Sequence, residues 1–94
     1  MNVKVKFFTS LREITGKKVD QLQLQTTNTV EELLTLLSEK YGTDFSDYVY
    51  NKEGTVQGFL SILVNGKNIN ALQGFSTKLK GADIVAILPP VGGG

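Results

Sequence analysis

A single amphipathic helix signal, residues 29–42, sits among alternating stretches, and a chain with one such helix has few ways to bury it. Thr29-Val30-Glu31-Glu32 is a capping box, in which the Thr hydroxyl and a Glu carboxylate satisfy orphan N–H groups of the first turn. Val30, Leu33, Leu34, Leu37 and Tyr41 recur at i, i+3, i+4, i+7 and i+11, and Gly42 supplies the stop. One apolar stripe means one buried face, so the helix must lie across a sheet. The stripe is therefore read as core and not as a partner-binding surface.

The strands are read from their period of two. Val3, Val5 and Phe7 share one parity while Lys4, Lys6 and Phe8 share the other, the pattern of a half-buried strand. Ser10 to Ile14 fits a short helical turn, and Gly16-Lys17-Lys18 turns into a second stretch, Val19 to Gln25, in which Leu22 and Leu24 face one way. After the helix, Thr43 to Gly58 is less regular, with Phe45, Tyr48 and Val49 as anchors and turn chemistry at Asn51-Lys52-Glu53-Gly54. A strand from Phe59 to Val64 meets Asn65-Gly66, the strongest short hairpin signal, and a short strand around Lys67-Asn68-Ile69 comes next. Asn70 to Lys80 reads as a loop anchored by Leu72, Phe75 and Leu79, before the turn Gly81-Ala82-Asp83 and a last strand, Ile84 to Leu88. The order β-β-α-β-β-β gives an α+β chain of β-grasp type, a mixed sheet of about five strands with one main helix across it. Residues 1–94 are expected to form one domain, with 89–94 as an extended tail.

Composition excludes more than it suggests. No cysteine means no disulfide, thiolate nucleophile or Cys-ligated zinc, and no histidine removes the commonest general base and metal ligand. A net charge of +1 gives no general attraction to nucleic acid or anionic lipid. No apolar run approaches the roughly 20 residues of a membrane span, and the expectation is a soluble, cytoplasmic protein without a membrane or nucleic-acid partner. Glu31 and Glu32 read as first-turn helix charges, and Asp44 and Asp47 have no metal-ligand pattern around them.

The ending Leu88-Pro89-Pro90-Val91-Gly92-Gly93-Gly94 carries the functional signal. Glycines lack a Cβ and can thread a passage that side chains would block. Pro89 and Pro90 fix φ and remove two backbone donors, so a strand ending near Leu88 leaves the sheet as a stiff stalk, holding the α-carboxylate away from the body. A frayed glycine tail is the plain alternative, but such a tail rarely comes after an apolar strand and Pro-Pro.

The opening Val3-Lys4-Val5-Lys6-Phe7-Phe8-Thr9-Ser10-Leu11-Arg12-Glu13, the hairpin Val64-Asn65-Gly66 and the ending Asp83 to Gly94 together resemble the MoaD family. Lys80-Gly81-Ala82-Asp83 departs from the Asp-Gly-Asp-Glu turn frequent in relatives. The resemblance implies a ubiquitin-like sulfur carrier, the small subunit of molybdopterin synthase. It further implies a chain that is not an enzyme alone and binds no cofactor or metal. A carboxylate with a pKa of about 3.5 is a poor acyl donor at neutral pH. The resemblance therefore implies a partner enzyme that uses ATP to adenylate Gly94, and a sulfur donor that displaces AMP to leave a thiocarboxylate. The tail, Pro89, Pro90, Val91, Gly92 and Gly93, would insert into a MoaE-like large subunit, where sulfur passes to a cyclic pterin phosphate. Two other readings share the same activation: a protein modifier joined to lysines through Gly94, and a sulfur carrier for thiamine or tRNA thiolation.

Strand parity locates a docking surface. With Val85, Ile87, Ile62 and Val64 facing the helix, Phe8, Leu63 and Leu88 face outward and would form an apolar patch beside the tail, unless parity slips and leaves them as core. Lys4, Lys6, Arg12, Lys17 and Lys18 form a basic edge, for which solvation is the simpler account.

Overall fold

A computed structural model describes residues 1–25 and 28–90. The strands are β1 (Asn2–Phe7), β2 (Val19–Gln23), β3 (Ser61–Val64), β4 (Lys67–Asn68) and β5 (Ile84–Leu88), and the helices are α1 (Ser10–Thr15), α2 (Val30–Tyr41) and α3 (Thr43–Val49). The sheet order is β2-β1-β5-β3-β4. β5 lies parallel to β1 and antiparallel to β3, and the two hairpins β1-β2 and β3-β4 are antiparallel. The sheet is therefore mixed and five-stranded, with the C-terminal strand at its centre.

The helix stripe is buried as its spacing requires. Val30, Leu33, Leu34 and Leu37 are all buried, and they meet the inner side chains of the central strands: Val3, Val5, Phe7, Ile62, Val85 and Ile87. Thr29 caps α2: its hydroxyl accepts the Glu32 N–H at 3.2 Å, and Glu32 Oε1 accepts the Thr29 N–H at 2.9 Å. Phe7 is the aromatic clasp of the core, with its ring edge-on to both Tyr41 (5.8 Å between centroids) and Phe45 (6.4 Å).

α3 lies in the stretch whose spacing shows no sustained period. Phe45, Tyr48 and Val49 lie at i, i+3 and i+4, and Phe45 and Val49 are fully buried, so three anchors close a two-turn helix. Its seven residues are otherwise short, polar and directly joined to α2 through Gly42. The strand expected from Phe59 begins only at Ser61, and Phe59 is exposed against Tyr48. Of the three expected loop anchors only Leu79 is buried; Leu72 and Phe75 stay exposed beside two short 3₁₀ turns, Ile69–Ala71 and Gly74–Ser76. β2 likewise ends at Gln23, although Leu24 continues its parity into the core.

Asn65-Gly66 closes the β3-β4 hairpin with φ of 52° and 85°, the left-handed pair a two-residue turn requires. Asn65 also ties the hairpin to the start of β5. Its Nδ2 donates to Asp83 Oδ1 at 2.9 Å, and its Oδ1 accepts the Ile84 N–H at 2.9 Å. Asp83 Oδ2 in turn accepts the Lys80 N–H at 2.8 Å, so this buried carboxylate is held on both oxygens.

Ala82 in the same turn holds φ 70°, a conformation that costs an L-residue about 1 kcal/mol relative to glycine. Ala82→Gly should accordingly raise Tm by a few degrees in a thermal melt, whereas Ala82→Val should lower it.

A second polar lock joins edge strand β2 to the end of α2. Asp20 points inward, is buried, accepts from Lys40 Nζ at 2.8 Å and from the Tyr41 hydroxyl, and meets Lys17 Nζ at 3.5 Å. Burial alone would raise the Asp20 carboxyl, but the hydrogen bonds from Lys40 and Tyr41 and the charges of Lys40 and Lys17 outweigh it and hold the pKa below the ordinary 3.8. Burial, then the Asp20 hydrogen bond and charge, push the Tyr41 phenol well above its usual range. A carboxyl depressed on folding stabilises the native state above its unfolded pKa and loses that contribution as pH falls through the folded one. Asp20→Asn and Tyr41→Phe should each lower stability at pH 7 by about 1–3 kcal/mol in urea unfolding. The difference between Asp20→Asn and the parent should shrink as pH drops below 3.8.

Candidate functional site

The site begins where β5 leaves the sheet. Within the strand, Val85 and Ile87 face α2 and are fully buried, while Ile84, Ala86 and Leu88 face the open side and are partly exposed. Ala86 pairs with Leu63 on β3 and with Lys6 on β1, and Leu88 pairs with Ser61. Phe7 pairs with Ile87, so Phe8 stands one rung further, at the level of Leu88. Phe8, Leu63 and Leu88 are thus all on the open sheet face near the strand's end, each half-buried and neither core nor fully solvated.

Arg12 lies against the half-buried Phe8. The Arg12 guanidinium carbon lies 5.4 Å from the Phe8 ring centroid, and its Nε donates to the Phe7 carbonyl at 2.9 Å. No residue pattern announces this contact, because Phe8 lies outside α1, and counting charges alone, which puts Arg12 among solvated side chains, misses it. Thr9 between them holds φ 47°, a strained value for a β-branched residue, and this sharp exit from β1 into α1 sets where Phe8 and Arg12 meet.

The two prolines behave differently. Pro89 continues the inward parity of Val85 and Ile87 and is buried, while Pro90 is exposed. Chain departure therefore starts after Pro89, one residue later than a two-proline stalk would have it. A proline satisfies an inward position at a strand end because it needs no ladder partner for its missing N–H. Val91, Gly92, Gly93 and Gly94 lie outside the described residues.

The open face has a simple charge pattern: its strand residues include Lys4 and Lys6, both exposed, and no carboxylate among the described residues. Lys17 from the expected basic edge is instead engaged with Asp20. Among the described residues no three acidic, His or Cys side chains gather as a metal-ligand set, and no helix is long and apolar enough to cross a membrane. A concavity of about 640 Å³ lies elsewhere, between α2, α3 and the 54–56 turn, lined by Leu34, Thr35, Tyr50, Val56 and Phe75. It shares no residue with the open sheet face and collects no set of reactive groups.

A mixed sheet whose central strands are a parallel β1/β5 pair, crossed by one long helix, is the β-grasp fold of ubiquitin-like proteins. Its defining site here is a central C-terminal strand that runs off the sheet next to an open face. The chain belongs to the ThiS family, whose model matches residues 5–94. Small archaeal modifier protein 3 of Haloferax volcanii is 30% identical over the full length of both chains. A protein of Archaeoglobus fulgidus, named as a candidate sulfur carrier, is 38% identical over 66 residues, covering 70% of this chain and 74% of that one. The solution structure of small archaeal modifier protein 1 from Methanosarcina acetivorans superposes with a TM-score of 0.81 at 38% identity, covering 99% of this chain and 96% of the other. The chain is thus a ubiquitin-like member of the ThiS family, with relatives named as a sulfur carrier and as modifiers.

Leu63 and its neighbour Ile62 separate the two faces of one strand. Leu63→Asp should retain a cooperative melt with a Tm loss no greater than about 8 °C, because the carboxylate reaches solvent on the open side. Ile62→Asp, at a position only 3% exposed, should abolish cooperative unfolding by circular dichroism.

Proposed function

We propose that this chain carries sulfur on the carboxylate of Gly94 and delivers it, as the small subunit of a molybdopterin synthase, to a cyclic pterin phosphate. The observation that carries the reading is the placement of β5: a central strand, fixed on both edges, that passes through a buried Pro89 into Pro90-Val91-Gly92-Gly93-Gly94. A rigid root with a side-chain-poor end suits insertion into a narrow channel, and the prolines limit the entropy lost on entry.

The chemistry balances without help from the chain's own side chains. A Gly94 carboxylate oxygen attacks the α-phosphorus of ATP on an adenylating enzyme, and pyrophosphate leaves. Hydrosulfide, or a protein persulfide with subsequent reduction by a thiol, attacks the acyl carbon, and AMP leaves with the electron pair. The thiocarboxylate sulfur then attacks a side-chain carbon of the cyclic pterin phosphate in the large subunit, and the C–O bond at that carbon breaks with the electron pair leaving on oxygen. Water at the acyl carbon of the resulting thioester releases the Gly94 carboxylate and leaves the thiol on the pterin, so that two carriers are needed for two sulfurs. The carrier contributes the acyl group, its reach and its docking surface. Phe8, Leu63 and Leu88 are the residues that would dock it on both the large subunit and the adenylating enzyme.

A second reading is favoured by the end-to-end identity with small archaeal modifier protein 3: a protein modifier whose Gly94 acyl group passes to lysine amines. Sulfur delivery for thiamine or tRNA thiolation uses the same activated carboxyl. Purified chain bearing a Gly94 thiocarboxylate should convert cyclic pterin phosphate to a dithiolene-bearing pterin when mixed with the large subunit. A chain lengthened by one residue after Gly94 should lose that transfer while keeping its Tm. Isopeptide-linked Gly94 on cellular lysines, with no pterin conversion, would replace the first reading by the second.

A further inference from the structure

Arg12 is held in a way that a solvated arginine is not. Its Nε donates to the Phe7 carbonyl and its guanidinium carbon lies 5.4 Å from the Phe8 ring centroid, so this exposed side chain is held at two points. No carboxylate pairs with it among the described residues: the ion pairs found there are Lys17 and Lys40 with Asp20, and neighbouring Glu13 makes none with it. The terminal Nη groups make no hydrogen bond among the described residues. A planar fork with its rotamer already fixed loses little entropy on binding and matches a carboxylate with two parallel hydrogen bonds.

The surroundings share its sign. Phe7 pairs with Ile87, so the Phe7 carbonyl that Arg12 holds lies beside the end of β5, whose open-face row is Ala86 and Leu88 with Leu63 next to Ala86 on β3. Lys6 pairs with Ala86 and Lys4 with Ile84, so two further cations flank that row on the same open face, and no carboxylate interrupts them among the described residues. The six carboxylates Glu31, Glu32, Glu39, Asp44, Asp47 and Glu53 belong to α2, α3 and the turn behind them. On α2, α3 and that turn these six carboxylates outnumber the cations Lys40 and Lys52, while Glu13 stands on α1 next to Arg12.

We propose that Arg12 is the anchor of the docking face, taking a carboxylate of the adenylating partner bidentately, with Lys4 and Lys6 steering an acidic rim around that partner's apolar docking surface. The proposal rests on the docking reading above and adds the partner's chemistry to it. A protein is favoured over a nucleic acid because the centre of the face is aliphatic and its aromatic ring already has Arg12 against it, which leaves no base-stacking platform. Self-association through this face would oppose like charges.

The test is ATP–pyrophosphate exchange by the purified adenylating enzyme of the same cell, measured against concentration of this chain. Arg12→Gln should raise the KM for the chain roughly tenfold with kcat and the KM for ATP unchanged, and Arg12→Lys should recover only part of that loss. Lys4→Gln with Lys6→Gln should lower kcat/KM a few-fold at low salt, and the effect should fade at high salt as screening shortens the reach of those charges. Lys52→Gln, on the helical side, should change nothing. Melting curves of every variant keep folding separate from docking. If Leu63→Asp raises KM but Arg12→Gln does not, the anchor is wrong and the docking face stands. If neither raises it, the docking face itself is wrong. A full rescue by Arg12→Lys would reduce Arg12 to a general charge and overturn the bidentate anchor. Competition by bulk tRNA at this face would show a phosphate-reading surface and also overturn it.

Discussion

Everything in this molecule depends on burying one side of the central strands against α2. Val5, Phe7, Val85 and Ile87 are fully buried there, and the leucine stripe of α2 is buried in return. At about 25 cal/mol per Å² of apolar surface, this contact is the main favourable contribution to folding. Because side chains alternate along a strand, committing one face to the helix commits the other to solvent. The open face, with Lys6, Ala86, Leu88 and Leu63, is thus a consequence of the core and not a separate construction. A one-residue slip of β5 would bury Ala86 and Leu88 and expose Ile87, so register is strongly specified.

The position of β5 in the chain converts that constraint into a functional one. As the last strand and the central one, it is held by β1 on one edge and β3 on the other, and Asn65 and Asp83 fix its start. The root of the tail is therefore among the most tightly held parts of the structure, up to the buried Pro89. The same strand stabilises the domain and fixes its own end at Pro89. Membership of the ThiS family and identity with carrier and modifier proteins fit such a division of labour.

Local signals were legible in the amino-acid order because their physics is local. The capping box at Thr29, the Asn65-Gly66 turn and the alternation of Ile84 to Leu88 each involve residues within a few positions of one another, and each appears as read. The features that escaped involve partners distant in sequence or elements too short to show a period. Asp20 and Tyr41 are 21 residues apart and meet only because β2 passes the end of α2. α3 spans seven residues, less than the window in which a helical period stands out. Leu72 and Phe75 looked like anchors by hydrophobicity alone, yet they sit on 3₁₀ turns that the core does not reach. In the site, Phe8, Leu63 and Leu88 were placed by parity, while the Arg12 contact with Phe8 required the strained turn at Thr9, which no residue pattern announces.

The central claim, that this fold exists to present an acyl group at Gly94, is tested most directly by intact mass spectrometry of the chain after incubation with its cell's adenylating enzyme, ATP and sulfide. The predicted result is replacement of one oxygen by sulfur, confined to the peptide that ends in Gly94 and absent without ATP. An unchanged Gly94, under conditions where the same enzyme activates another carrier, would contradict it.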